Sequence, residues 1–191
     1  LRLAEELGGE RRLERVPNLV YLKGDQVQVN QPFHAENVNE LPTPTFDGFP
    51  LDRYLNSQIV IPYLTSRGCY WSKCAFCSSY ETYKGGFRQR RIDRVLEDMR
   101  RLSRECESNA FFFVDQATSP AALRRISQAL IEAGDRFYWH TEARFEKQLD
   151  HELLALMHRS GCRKILFGME SGHQRVLDLM AWGREHVSLD S

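Results

Sequence analysis

From residue 59 onward the sequence repeats one rhythm four times: a short apolar run, then an amphipathic stretch. "QIVIPYLTS" suits a strand. "RRIDRVLEDMRRLSREC" follows, with Ile92, Val95, Leu96, Met99, Leu102 and Cys106 at helical spacing. "NAFFFVDQ" reads as a buried strand. "SPAALRRISQALIEAG" reads as a helix with Ser119 as N-cap, Pro120 in its first turn and Gly134 at its stop. "RFYWHTEARF" is a third strand and "DHELLALMHRSG" a third helix, capped by Asp150 and ended by Gly161. "RKILFGMES" and "GHQRVLDLMAWG" complete the fourth pair. Strands alternating with helices at this length imply βαβ units and a parallel sheet. The expected fold class is therefore α/β, with about four βα units.

In such folds ligands bind beyond the C-terminal ends of the strands. The segment directly after the first strand is "TSRGCYWSKCAFC", which places Cys69, Cys74 and Cys77 within nine residues. Asp115 closes the second strand, Arg144 the third and Glu170 the fourth. These groups are expected to converge on one rim.

Residues 1–58 have a different texture. "LAEELGG" reads as a helix end, and "NLVYLKGDQVQVN" as two short strands turning at Lys23-Gly24-Asp25. "NELPTPTFDGFPLDRYL" is a proline-rich connector, expected to be held down by Phe46, Phe49 and Tyr54. The expected division is a linker region over 1–58 and the repeating α/β region over 59–191.

Composition narrows the functional classes. Lysine plus arginine and aspartate plus glutamate number 26 each, so net charge gives no case for nucleic acid, although a local basic patch stays open. No apolar run approaches the length of a membrane span. The N-terminus lacks both a signal-type apolar core and an initiator methionine, and reads as part of a longer chain. Five cysteines, three of them crowded, point to a reducing, cytoplasmic compartment and to metal or redox chemistry rather than disulfides.

What the three cysteines hold has several answers at this level. Structural zinc wants a second pair of ligands, and Cys106, Cys162, His34 and His140 all stand remote from the loop. "HTE" at 140–142 and "HELLALMH" at 151–158 miss the order and spacing of hydrolytic zinc motifs. The spacing C-x4-C-x2-C fits a plant-type ferredoxin if Cys106 supplies a fourth ligand. Against this, Cys106 lies fourteen residues after Ile92, on the same apolar stripe, where a cysteine is usually a small buried hydrophobe. The remaining answer leaves one iron of a [4Fe–4S] cluster open.

A three-cysteine loop after the first strand of a βα-repeat protein resembles the radical S-adenosylmethionine (SAM) superfamily. The usual spacing there is C-x3-C-x2-C, and this chain has one residue more. "PTPTFDGFPLDRYL" followed by "LTSRGCYWSKCAFC", and "HRSGCRKILFGMESGHQRVLDLM", resemble the cobalamin-binding branch of that superfamily. The likeness runs from about Leu41 to Met180. It implies a partial (β/α) barrel preceded by the end of an upstream cobalamin-binding-like domain. It implies that Cys69, Cys74 and Cys77 bind a [4Fe–4S] cluster whose open iron takes SAM. Reductive cleavage of SAM then yields methionine and a 5′-deoxyadenosyl radical. Phe76 would pack near the adenine, Glu170 would accept from ribose hydroxyls, Arg144 would meet the SAM carboxylate, and Asp115 would face SAM's amino group or the substrate. No catalytic side chain beyond these binding residues is indicated. Tyr70 and Trp71 would widen the loop, and Arg67, Lys73, Lys84, Arg88, Arg90 and Arg91 would surround an anionic cluster. The implied partners are a small-molecule or peptide substrate and an electron donor such as flavodoxin or ferredoxin. Cobalamin is implied for a longer parent only. The four units are fewer than the six of a usual core, so a truncated chain with an open sheet edge is expected. An inactive scaffold is the remaining alternative.

Overall fold

The computed structural model describes residues 2–32, 37–78 and 86–180. Lys84, His34 and the segment 181–191 therefore lie outside the described residues. The chain divides into two compact units, Leu1–Ala35 and Glu36–Ser191.

The first unit holds helix α1 (Arg2–Gly8), a 3-10 turn at Leu13–Arg15 and a hairpin of β1 (Val20–Lys23) and β2 (Gln26–Val29). The hairpin turns at Gly24, whose φ of +63° suits a residue without a Cβ. Asn30 Nδ2 donates to the carbonyls of Leu13 at 2.6 Å and Val16 at 2.8 Å, tying the strand exit to the turn.

The second unit is built on a four-stranded parallel sheet in the order β3-β6-β7-β8. Its strands are β3 (Val60–Tyr63), β6 (Ala110–Phe113), β7 (Tyr138–Ala143) and β8 (Cys162–Phe167). A separate two-residue ladder joins β4 (Ser66–Arg67) to β5 (Arg88–Gln89). Helices α2 (Ile92–Glu105), α3 (Pro120–Ala133) and α4 (His151–Arg159) follow successive strands, and α5 (Gln174–Leu179) follows β8. This is the alternation expected from the sequence. The caps form as expected too: Ser119 Oγ accepts from Ala122 N, and Asp150 Oδ1 accepts from Leu153 N at 2.8 Å.

The two faces of the sheet differ. Ile61, Phe111, Trp139 and Cys162 lie in register, and all four are buried in the core with Met99, Leu102, Leu123, Ile126, Leu130 and Leu153 of the helices. The neighbouring row is Pro62, Phe112, His140 and Lys164. Successive side chains alternate across a sheet, so this row faces away from the helices. It is half-buried or exposed.

One polar group sits inside the apolar stripe of α2. Asp98 is fully buried and accepts from Tyr63 OH at 2.7 Å, Arg90 Nη1 at 2.7 Å and Thr43 Oγ1 at 2.5 Å. It thereby ties the connector, the first sheet strand and the segment before α2 to one carboxylate. Burial first, and the hydrogen bond to Asp98 second, push the Tyr63 phenol well above its ordinary pKa. Removing one partner of a buried ion pair leaves the other charge stranded. Asp98→Ala is therefore expected to destabilise the chain by about 3–5 kcal/mol, read as a lower urea midpoint at unchanged slope.

The connector is anchored less widely than its aromatics suggest. Phe46 and Leu51 pack against the core, but Phe49 and Tyr54 are exposed. Phe49 instead lies edge-on against Phe46, with ring centroids 6.2 Å apart. Among the described residues, no helix is long and apolar enough to cross a membrane.

Candidate functional site

The cysteine loop is an excursion pinned at its base. It leaves the sheet after β3 and is closed by the pairing of Ser66 with Gln89 and Arg67 with Arg88. Gly68 stands just inside this base with φ +81°, and a Cβ there would lie 2.7 Å from the Gly86 carbonyl oxygen. The two backbones approach so closely that only glycine fits.

Asp115 holds the same base from below. Its Oδ1 accepts from Ser66 N at 2.6 Å and Ser66 Oγ at 3.0 Å, and its Oδ2 from Thr65 Oγ1 at 2.5 Å. Thr118 Oγ1 donates to Oδ2 at 3.3 Å. The carboxyl is buried, and it does not line the cavity described below. Burial pushes its pKa up, and the donated hydrogen bonds pull against that without cancelling it. Between the unfolded and folded pKa values the native state holds a proton that the unfolded chain has lost, so stability falls as pH rises through that window. Asp115→Asn keeps an acceptor for Ser66 N and removes the titration. That variant is expected to flatten the pH dependence of the urea midpoint above the ordinary carboxylate range. Asp115→Ala strands the Ser66 amide and is expected to cost about 1–3 kcal/mol.

Beyond the C-terminal ends of β6, β7 and β8 lies a cavity of about 310 Å³. Cys69, Cys74, Cys77 and Phe76 line it from the loop side. Glu142 and Arg144 line it from the end of β7, and Gly168 and Glu170 from the end of β8. Six of the seven predicted site residues thus meet in one place, and Asp115 supports the loop instead. Phe76 is half-exposed at the cavity wall. Glu170 sits in the left-handed region at φ +58°, with Gly168 beside it; a Cβ on Gly168 would meet Glu170 Oε1 at 2.8 Å. Strained backbone of this kind clusters at ligand sites.

Arg144 is held by several partners at once. Its Nη1 lies 3.5 Å from Cys74 Sγ, and its guanidinium stacks 4.3 Å from the centroid of the Trp71 ring. Its Nε lies 3.4 Å from Glu146 Oε1, the same oxygen that accepts from Tyr70 OH. Arg144 and Glu146 are both almost wholly buried. Tyr70 and Trp71, the residues around the extra position of the loop, therefore bind the loop to the end of β7. Burial pushes the Cys74 thiol up, while the hydrogen bond from Arg144 pulls it down. Glu146 carried no signal in the sequence beyond being a polar residue after a strand. Of the basic residues near the loop, Arg90 is committed to Asp98, Arg91 pairs with exposed Asp93, and Lys73 lies over the Trp71 ring at 5.0 Å.

All five cysteines are free thiols. Among the described residues, no three His, Cys, Asp or Glu side chains gather closely enough to share one metal ion. Thiolates around a single zinc at 2.3 Å stand roughly 3.8 Å apart. The loop thiols instead border a cavity, the arrangement suited to a cluster that presents a separate iron to each sulfur. The other polar side chains on the wall are Gln116, Glu142, Arg144 and Glu170, so among the described residues no fourth thiol or imidazole completes the set there. Cys106 is buried at the C-terminal end of α2, ahead of the first residue of β6, and thus at the opposite end of the sheet. Cys162 begins β8 in the core, and burial pushes its thiol up to about 11. His151 and His158 are exposed on α4.

A model of the Radical SAM superfamily matches residues 63–188, most of the chain. The chain is 28% identical over 185 residues to an uncharacterized methyltransferase of Pyrococcus horikoshii, covering 95% of this chain and 40% of that protein. It is 25% identical over 198 residues to the hopanoid C-3 methylase of Methylococcus capsulatus, covering 99% and 37%. It is 31% identical over 134 residues to the bacteriochlorophyllide d C-12(1)-methyltransferase of Chlorobaculum tepidum, covering 67% and 28%. The chain spans less than half the length of these curated relatives. It belongs to the radical SAM superfamily.

Proposed function

We propose, taking that membership as the premise, that this chain is the cluster-binding part of a radical SAM methyltransferase. The observation that carries the reading is the meeting of three loop thiols, Arg144 and Glu170 around one cavity at the C-terminal rim of the sheet. Cys69, Cys74 and Cys77 would hold a [4Fe–4S] cluster, leaving one iron for SAM. When bound and reduced, a cluster held there would supply one electron for cleavage of SAM into methionine and a 5′-deoxyadenosyl radical.

The chain's own residues bind, orient and shield. Arg144 donates toward Cys74 Sγ, and the Trp71 ring covers its guanidinium. A cationic donor there favours the added negative charge of a reduced cluster. Glu170, at the rim with its backbone in the left-handed region, would accept from the ribose hydroxyls. Phe76 offers a flat apolar wall to the adenine. Asp115 acts through the loop base rather than by touching the cosubstrate.

The methyl-transfer class rests on the relatives' names, and substrate selection would fall largely to segments outside this chain. Cobalamin binding would belong to an upstream domain of the parent, with residues 1–58 as the exit from it. Electrons would come from a flavodoxin- or ferredoxin-like donor. The test is product analysis after anaerobic reconstitution with iron and sulfide, reduction and addition of SAM. Release of 5′-deoxyadenosine supports the reading. Recovery of intact SAM from a protein loaded with cluster would reduce the chain to a holder of the cluster without cleavage.

A further inference from the structure

The face of the sheet turned away from the helices carries a feature that the site above does not use. His140 and Lys164 are direct cross-strand partners on β7 and β8, on the row that faces away from the helices. The His140 ring stacks on Phe112, with centroids 4.3 Å apart and planes 12° from parallel. Phe112 is itself the partner of His140 across β6 and β7. The imidazole plane is thereby fixed, with an ammonium beside it. Among the described residues, neither the ring nitrogens of His140 nor the Lys164 ammonium has a hydrogen-bonding or ionic partner.

This row lies below the cavity. Glu142, two residues further along β7 and on the same face, already belongs to the cavity wall, and Arg144 stands two residues beyond it. At about 3.3 Å per residue, His140 lies roughly 7 Å below Glu142 and roughly 13 Å below Arg144. A ligand reaching from the rim down the sheet would meet an acidic side chain first and then the His140–Lys164 pair. Leu166, the partner of Glu142 on β8, supplies an apolar wall between them.

We propose that His140 and Lys164, backed by Phe112, form a subsite for an oxyanion group, carboxylate or phosphate-like, on the substrate acted on at the cavity above. Lys164 supplies the point charge. His140 supplies a directed N–H, and the stack holds it in place. Charge-assisted hydrogen bonds of this kind are among the stronger ones available to a protein. Burial and the Lys164 charge both push His140 toward its neutral form. A bound anion reverses that preference, which makes His140 a reporter as well as a ligand.

The meaning of this subsite rests on the radical SAM reading, but its test needs neither cluster nor turnover. The chain is labelled with 13C-histidine, and the imidazole signals are followed while inorganic phosphate or acetate is added in separate arms. The chain has six histidines, and a His140→Gln variant assigns the relevant signal. The expected result is a saturable downfield shift of the His140 signal, stronger with phosphate for a phosphate-like group and with acetate for a carboxylate. Lys164→Gln should weaken apparent binding about tenfold or more, and Lys164→Arg should restore most of it. No shift in either arm, or the same shift in Lys164→Gln, overturns the subsite. A chain that shows the shift but takes up no cluster would keep the subsite and remove the proposed cluster-binding function. A chain that takes up the cluster without the shift would do the reverse.

Discussion

Alanine at any one of Cys69, Cys74 or Cys77 is expected to abolish stable cluster binding, while alanine at Cys106 or Cys162 leaves it intact. The geometry makes the contrast sharp. The first three thiols border one cavity on the loop that leaves β3. Cys106 lies buried at the far end of α2 and Cys162 in the core at the start of β8. Losing one of three thiolates leaves two irons without protein ligands, and the second vacancy has no neighbouring sulfur to fill it. Iron and sulfide counts after anaerobic reconstitution check this. Near four irons are expected in the chain itself and in the Cys106 and Cys162 variants, and only residual iron in the three loop variants. Loss of iron in Cys106→Ala with an intact fold would instead favour a four-cysteine electron carrier.

The second large effect concerns the fold. Gly161 joins α4 to β8 with φ +102°, and a Cβ there would sit 1.9 Å from the Phe137 carbonyl oxygen. That oxygen belongs to the backbone entering β7, so no side chain can turn aside to make room. The Gly161 carbonyl also accepts from Trp139 N at 3.1 Å, which joins the starts of β7 and β8. Gly161→Ala must push β7 and β8 apart or unwind the turn. The expected cost is about 4 kcal/mol or more, read as a lowered urea midpoint or as insoluble expression. Gly134→Ala is the control. Gly134 also has positive φ, at +69°, but a Cβ there meets nothing within 4 Å. Its cost should stay near 1–2 kcal/mol. Equal losses in the two variants would mean that conformational strain, and not the close approach, governs Gly161.

Much of the architecture was legible because local chemistry and global fold agree. Apolar runs over Val60–Tyr63 and Ala110–Phe113, with a capped helix at Ser119 and another at Asp150, leave little freedom other than parallel βα units. Cys106 announced itself as a core residue by its place on the α2 stripe, and it is one. The convergence on the rim was legible from strand ends alone for Arg144 and Glu170. What the sequence concealed were partnerships at long separation. Asp98 reads as a polar residue on an amphipathic helix, but it is buried against Arg90, Tyr63 and Thr43. Asp115 reads as a rim carboxylate, but its short side chain turns back to the hydroxyls and amide at the loop base. Tyr70 reads as a residue that widens the loop, and it donates to Glu146, 76 residues away. The row of Pro62, Phe112, His140 and Lys164 could not be seen before the register was known. An irregularity between Trp139 and His140 shifts the pairing of β7 with β8.

The proposed function requires that one iron of the cluster be left open for SAM. Electron paramagnetic resonance of the reduced, reconstituted chain, with and without SAM, tests it most directly. The expected result is a [4Fe–4S] signal whose g values move when SAM is added, because the cosubstrate would enter the coordination sphere of one iron. A cluster signal indifferent to SAM would contradict it, and would mean that all the irons already have protein ligands.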